Sequence, residues 1–154
     1  MNAICKTKRR MAPVPPHRCA VLVVEDDADL RDLVRVALET DGYIVSTAAN
    51  GRDALQHLRS TPHTCMIVLD LTLPRMDGRA FRGAQLRDRS LAWIPVVVMS
   101  GESDVAREAR DLAARAVVRK PVDVDELRHA LRRVGCWLAR PRPEQRSQAF
   151  TPRA

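Results

Sequence analysis

Carboxylates, a hydroxyl and an ammonium stand where the short apolar runs of this chain end. Val24 leads into Glu25, Asp26 and Asp27, and Leu69 leads into Asp70. Ser100 and Gly101 follow Met99, while Lys120 and Pro121 follow Arg119. If the runs are neighbouring strands, these groups share one edge of a sheet. Carboxylates brought together there are costly, since two unit charges about 4 Å apart repel by roughly 4 kcal/mol at an effective dielectric near 20. Either one takes a proton or a cation sits among them. An all-oxygen ligand set suits Mg²⁺. No histidine or cysteine falls at these run ends, which disfavours zinc.

The elements that must position these groups are legible as alternation. The apolar runs are Ala20–Val24, Tyr43–Val45, Cys65–Leu69, Ile94–Met99 and Ala116–Val118. They are short, mostly β-branched and continuous, as strands covered on both faces read. Helical stripes fill the gaps. Leu30, Leu33, Val34, Ala37 and Leu38 form the first, and Ala54, Leu55 and Leu58 the second. Phe81, Ala84 and Leu86 follow the turn at Asp77-Gly78. Val105, Ala109, Leu112 and Ala113 make an alanine-rich stripe, and Val124, Leu127, Leu131, Val134 and Leu138 the cleanest one. Asp123 with Glu126 three residues on predicts a cap at its start, and Asp27 can cap the first helix. Five strand–helix units imply an α/β, doubly wound parallel sheet with helices on both faces. A Rossmann-like nucleotide binder is the alternative. It needs a glycine-rich turn where this chain has Glu25-Asp26-Asp27, whose charge would repel a pyrophosphate.

The chain has 154 residues and a net charge of +7, but the charge is unevenly spread. Residues 1–18 carry +5 and residues 140–154 carry +3, which leaves −1 for residues 19–139. Three segments are therefore expected: a basic, proline-containing disordered tail over 1–18, one folded domain over 19–139, and a second such tail over 140–154. No run approaches the length of a membrane span, and no apolar core of a secretory signal follows the N-terminal charges. Cys5, Cys19, Cys65 and Cys136 are scattered without a CxxC pair, so neither a disulfide scaffold nor a zinc site is expected and a cytoplasmic setting fits. The histidines, His17, His57, His63 and His129, read as tail, helix or loop residues without a chemical role.

The strings VLVVEDDADLRDLV, GYIVSTAANGRDAL, MIVLDLTLPRMDG, VVVMSG and VVRKPVDVDEL, in that order, resemble the receiver domain of bacterial response regulators. The resemblance covers residues 19–139. It implies a flavodoxin-like (βα)5 fold with five parallel strands in the order 2-1-3-4-5. It implies that a sensor histidine kinase or phosphotransfer protein passes a phosphoryl group to an aspartate, and that the domain then alters its contacts with a protein target. By position, Asp70 corresponds to the phosphoacceptor and Glu25 and Asp26 to the acidic pair that holds Mg²⁺. The backbone carbonyl of Thr72 corresponds to a further metal ligand, Ser100 to the switch hydroxyl and Lys120 to the phosphate-contacting lysine. The chemistry agrees. A carboxylate can carry an acyl phosphate, and a divalent ion with an ammonium neutralises the transferring group. Of the 17 basic residues in 19–139, Lys120 is the only lysine, and a compact ammonium suits a small phosphate pocket.

Two departures stand out. The position three before Lys120, an aromatic in most relatives, is Val117, so the usual hydroxyl–aromatic coupling is not expected. The stretch from Ser100 to Lys120 is short by a residue or two. No output domain is expected after the receiver, which points to a stand-alone module that acts by binding another protein as a monomer or weak dimer. Two other functions compete. One is nucleic-acid binding through the basic tails, disfavoured by a near-neutral core. The other is a Mg²⁺-dependent aspartyl phosphatase, which needs an acid two residues after the nucleophile where this chain has Thr72.

Overall fold

The computed structural model describes residues 19–135. The two basic tails and the end of the fifth helical stripe, including Leu138, lie outside the described residues. Ten elements alternate without exception: β1 (Ala20–Val24), α1 (Ala28–Thr40), β2 (Ile44–Ala48), α2 (Gly51–Ser60), β3 (Thr64–Asp70), α3 (Gly78–Arg87), β4 (Val96–Ser100), α4 (Val105–Asp111), β5 (Ala116–Arg119) and α5 (Val124–Val134). The strands form one parallel sheet in the order β2-β1-β3-β4-β5. That is the order the resemblance implies.

Alternate residues of each strand feed opposite faces. Leu22, Val24, Ile67, Leu69, Val96 and Val98 pack on one side with Ala54, Leu55 and Leu58 of α2 and Phe81 of α3. Val21, Val23, Met66, Val68, Val97 and Met99 pack on the other with Val34 and Leu38 of α1 and Leu127 and Leu131 of α5. The central strand β3 is buried along its whole length. The expectation of two covered faces fails for β2, whose Ile44 is 50% exposed. It is an edge strand, covered on fewer sides than the centre. Leu33 and Leu86, placed on core stripes by spacing, are exposed as well. The stripes of α1 and α3 that touch the sheet are narrower than their apolar residues suggest.

The helices start where short polar side chains can accept orphan amides. Asp27 accepts from the amides of Asp29 and Leu30, Asp77 from Ala80, and Asp123 from Asp125 and Glu126. Asp27 is thus a helix cap. α4 has only seven residues.

Candidate functional site

Parallel strands put their carboxyl ends on one edge, and the register decides which side chains meet. Val24 is level with Leu69, Asp70 with Met99 and Ser100 with Arg119. Glu25, Asp70, Ser100 and Lys120 therefore emerge on one edge from four adjacent strands. The loops complete the arrangement. The Glu25 amide donates to Ala48 O (3.0 Å) and the Lys120 amide to Ser100 O (2.8 Å). The Lys120–Pro121 peptide bond is cis.

Asp70 is buried, and its Oδ1 accepts from Lys120 Nζ at 2.9 Å and from the Thr72 amide at 3.1 Å. Lys120 Nζ also stands 3.6 Å from Glu25 Oε2, an ion-pair contact too long for a hydrogen bond. Glu25 Oε1 accepts from the Asp27 amide at 3.1 Å, while its Oε2 is buried with no hydrogen-bond partner. Burial first, then the charge of Asp70 and a hydrogen bond with Asp26, push the Glu25 carboxyl up to about 7 against the opposing pull of the Asp27 amide and Lys120. Burial works against the Lys120 ammonium, but the hydrogen bond and charge of Asp70, then Glu25, outweigh it and raise its pKa.

The carboxylates of Glu25, Asp26 and Asp70 each offer an oxygen, and these atoms lie within 4.8 Å of one another. Asp26 is exposed and the other two are buried. A buried carboxylate oxygen with no donor, facing two more carboxylates, is what a hard oxygen-seeking cation would satisfy. The donor set thus fits Mg²⁺. Arg31 of α1, which the sequence reading did not single out, steadies this loop. Its Nη1 donates to the backbone carbonyl of Glu25 (2.9 Å) and, more weakly, to that of Asp26 (3.4 Å).

On the other flank, a cavity of about 210 Å³ is bordered by Asp70, Thr72, Arg79, Ser100, Glu102 and Glu108. Ser100 is buried and accepts from the Glu102 amide at 3.0 Å. Its hydroxyl donates to Glu108 Oε2, and Arg79 donates to Glu108 Oε1. Glu108 and Arg79 were missed as well. The signal for Glu108 was an acid at a core-facing position of α4, three after Val105 and four before Leu112.

The family profile described as Response regulator receiver domain matches residues 21–132. The chain belongs to this family, whose members are phosphoacceptor signalling domains rather than ordinary enzymes. It is 31% identical over 114 residues to Sporulation initiation phosphotransferase F of Bacillus subtilis, covering 73% of this chain and 90% of that protein. It is 33% identical over 112 residues to the alkaline phosphatase synthesis transcriptional regulatory protein SphR of Synechococcus elongatus, but spans only 43% of it. Among solved structures, the chemotaxis response regulator CheY4 of Vibrio cholerae superimposes with a TM-score of 0.71 at 28% identity, over 77% of this chain and 99% of that one. No helix among the described residues is long and apolar enough to cross a membrane.

Proposed function

We propose that the chain accepts a phosphoryl group on Asp70, in a Mg²⁺-dependent reaction, from a sensor histidine kinase or phosphotransfer protein, and that the phosphorylated form changes its protein contacts. The supporting observation is the contact between Lys120 Nζ and Asp70 Oδ1 at 2.9 Å beside the unsatisfied Glu25 Oε2. One carboxylate is held between a cation and a cluster that needs another. A relative named as a phosphotransferase, of which this chain covers 90%, supports the same reading. On this reading the reaction takes place in the cytoplasm.

Glu25, Asp26, Asp70 and the backbone carbonyl of Thr72 would hold the Mg²⁺, which when bound neutralises charge on the cluster and on the phosphoryl oxygens. An oxygen of the Asp70 carboxylate attacks phosphorus. The P–N bond of the donor phosphoimidazole breaks, and its electron pair stays on the imidazole nitrogen. The Lys120 ammonium stays beside Asp70 and contacts a phosphoryl oxygen as charge redistributes. Ser100 turns its hydroxyl to another of those oxygens, which carries the loop after β4 with it. Water later breaks the acyl phosphate and returns the free carboxylate. Thr72, two past Asp70, offers no carboxyl proton to a leaving alcohol, so sustained phosphatase action on other substrates is not expected. The nucleic-acid alternative rests on tails outside the described residues.

Incubation of the full chain with acetyl phosphate and Mg²⁺ should add the mass of one phosphoryl group, and chelation of Mg²⁺ or Asp70→Asn should prevent it. An unchanged mass under those conditions would count against the reading.

A further inference from the structure

The Ser100 hydroxyl has one proton. In this structure that proton is committed to Glu108, while the lone pairs of Ser100 face the Glu102 amide. Glu108 is 3% exposed, and its two oxygens have one partner each, Ser100 and Arg79. The aromatic side chain that would otherwise respond to the hydroxyl is Val117, too short for a large rotamer swing. The hydroxyl nevertheless has a direct partner on α4. That helix is fastened at its other end by a separate device. Buried Arg82 of α3 donates from Nε to Leu112 O and from Nη2 to Ala113 O, both at 2.9 Å. So α4 is held at its C-terminal end by Arg82 and at its middle by the hydroxyl–carboxylate contact, backed by half-exposed Arg79, while Arg119 Nη2 donates to the carbonyl of Ser103 ahead of the helix at 3.2 Å.

We propose that Glu108 is a positioning residue for Ser100. It keeps the hydroxyl turned away from Asp70 in the resting state, and phosphorylation releases α4 by taking that hydroxyl. The proposal rests on Asp70 being the phosphoacceptor. A phosphoryl oxygen and Glu108 Oε2 compete for one proton, so only one contact exists at a time. Once Ser100 leaves, Glu108 Oε2 is a buried charged acceptor without a donor, which is expensive. The first turn of α4 then moves toward solvent with Arg79, about the Arg82 anchor. Val117 requires no rotation in this scheme, because the carboxylate does what the aromatic does elsewhere.

The test uses the full chain with Mg²⁺ and beryllofluoride as the phosphoryl mimic, read by ¹⁹F NMR for binding and by hydrogen exchange for α4. In the wild type, beryllofluoride should speed exchange over residues 105–111 while leaving β4 protected. Glu108→Met, which keeps volume but leaves no acceptor to strand, should make α4 exchange the same with and without beryllofluoride. It should also bind the mimic about tenfold more tightly, because a contact present only in the resting state has gone. In a Ser100→Ala background the same substitution should change affinity by less than about twofold, since the coupling partner is absent. Glu108→Ala is carried alongside with the same expectations, and the wild-type exchange result stands without any substitution. Unchanged or weaker binding in the Glu108 variants, an equal effect in the Ser100→Ala background, or α4 exchange indifferent to beryllofluoride in the wild type would overturn the proposal while Asp70 as acceptor stands. No beryllofluoride adduct on the wild type would instead overturn the phosphoacceptor reading, and this inference with it.

Discussion

A β-carbon on Gly78 would stand 2.5 Å from the carbonyl oxygen of Asp70 and 2.6 Å from Leu71 Cα. Both neighbours are backbone, and the Gly78 amide donates to Leu71 O at 3.0 Å, so α3 starts pressed against the strand end that carries Asp70. Gly78→Ala is therefore expected to lower stability by about 1–3 kcal/mol, the usual cost of overpacking. It should also weaken Mg²⁺ binding, because the displaced atoms belong to the Asp70 backbone. Urea melts with and without Mg²⁺ check both parts.

Lys120 would compete with a bound Mg²⁺ for the same carboxylates. Lys120→Ala is expected to strengthen Mg²⁺ binding by about three- to tenfold, the effect of one partly exposed charge at this distance. It should also slow phosphorylation by acetyl phosphate by at least roughly tenfold, because a cation beside the transferring group is lost. These opposite signs distinguish a catalytic ammonium from one that only holds the loop. Mg²⁺ titration and the rate of mass gain read them separately.

The Glu25 carboxyl, raised from its ordinary 4.5 to about 7, links proton, metal and stability. A raised carboxyl makes the folded chain bind more protons than the unfolded one across that window. Its contribution is fully present below pH 4.5 and is lost as pH rises through about 7 in metal-free protein. Mg²⁺ favours the ionised form, so its affinity should strengthen with pH over the same range and its binding should release a proton. Glu25→Gln should flatten both dependences. Urea melts across pH 5–8 in chelator and in Mg²⁺ provide the check.

Arg82 is a buried guanidinium whose partners are carbonyls. Its Nη1 donates to Gln85 Oε1 at 2.6 Å, and Gln85 Nε2 in turn donates to the carbonyls of Leu91 and Ile94. Arg82→Met keeps the bulk but strands Leu112 O and Ala113 O, so a loss of about 2–4 kcal/mol is expected. Hydrogen exchange should rise first at the C-terminal end of α4.

The acidic pair, Asp70, Ser100 and Lys120 were legible because each sits at the end of a continuous apolar run, and parallel strands bring such ends to one edge. Strand order was not legible from periodicity, which carries no neighbour information, and came from the resemblance. Leu33 was misplaced because five apolar residues widened the stripe of α1 beyond what the sheet covers. Glu108, Arg79 and Arg82 escaped because charged side chains read as solvent-facing until packing shows what they touch. Glu108 could have been flagged, since an acid inside an apolar stripe needs a partner.

The central claim is that Asp70 itself carries the phosphoryl group. Borohydride reduces an acyl phosphate to an alcohol, so a trapped phospho-Asp70 becomes homoserine at that position. Treatment of the full chain with acetyl phosphate and Mg²⁺, followed by borohydride and tandem mass spectrometry, should find homoserine at position 70 and at no other acid. An unmodified Asp70, homoserine at Asp26 or another aspartate, or the longer 5-hydroxynorvaline at Glu25 or another glutamate, contradicts the account.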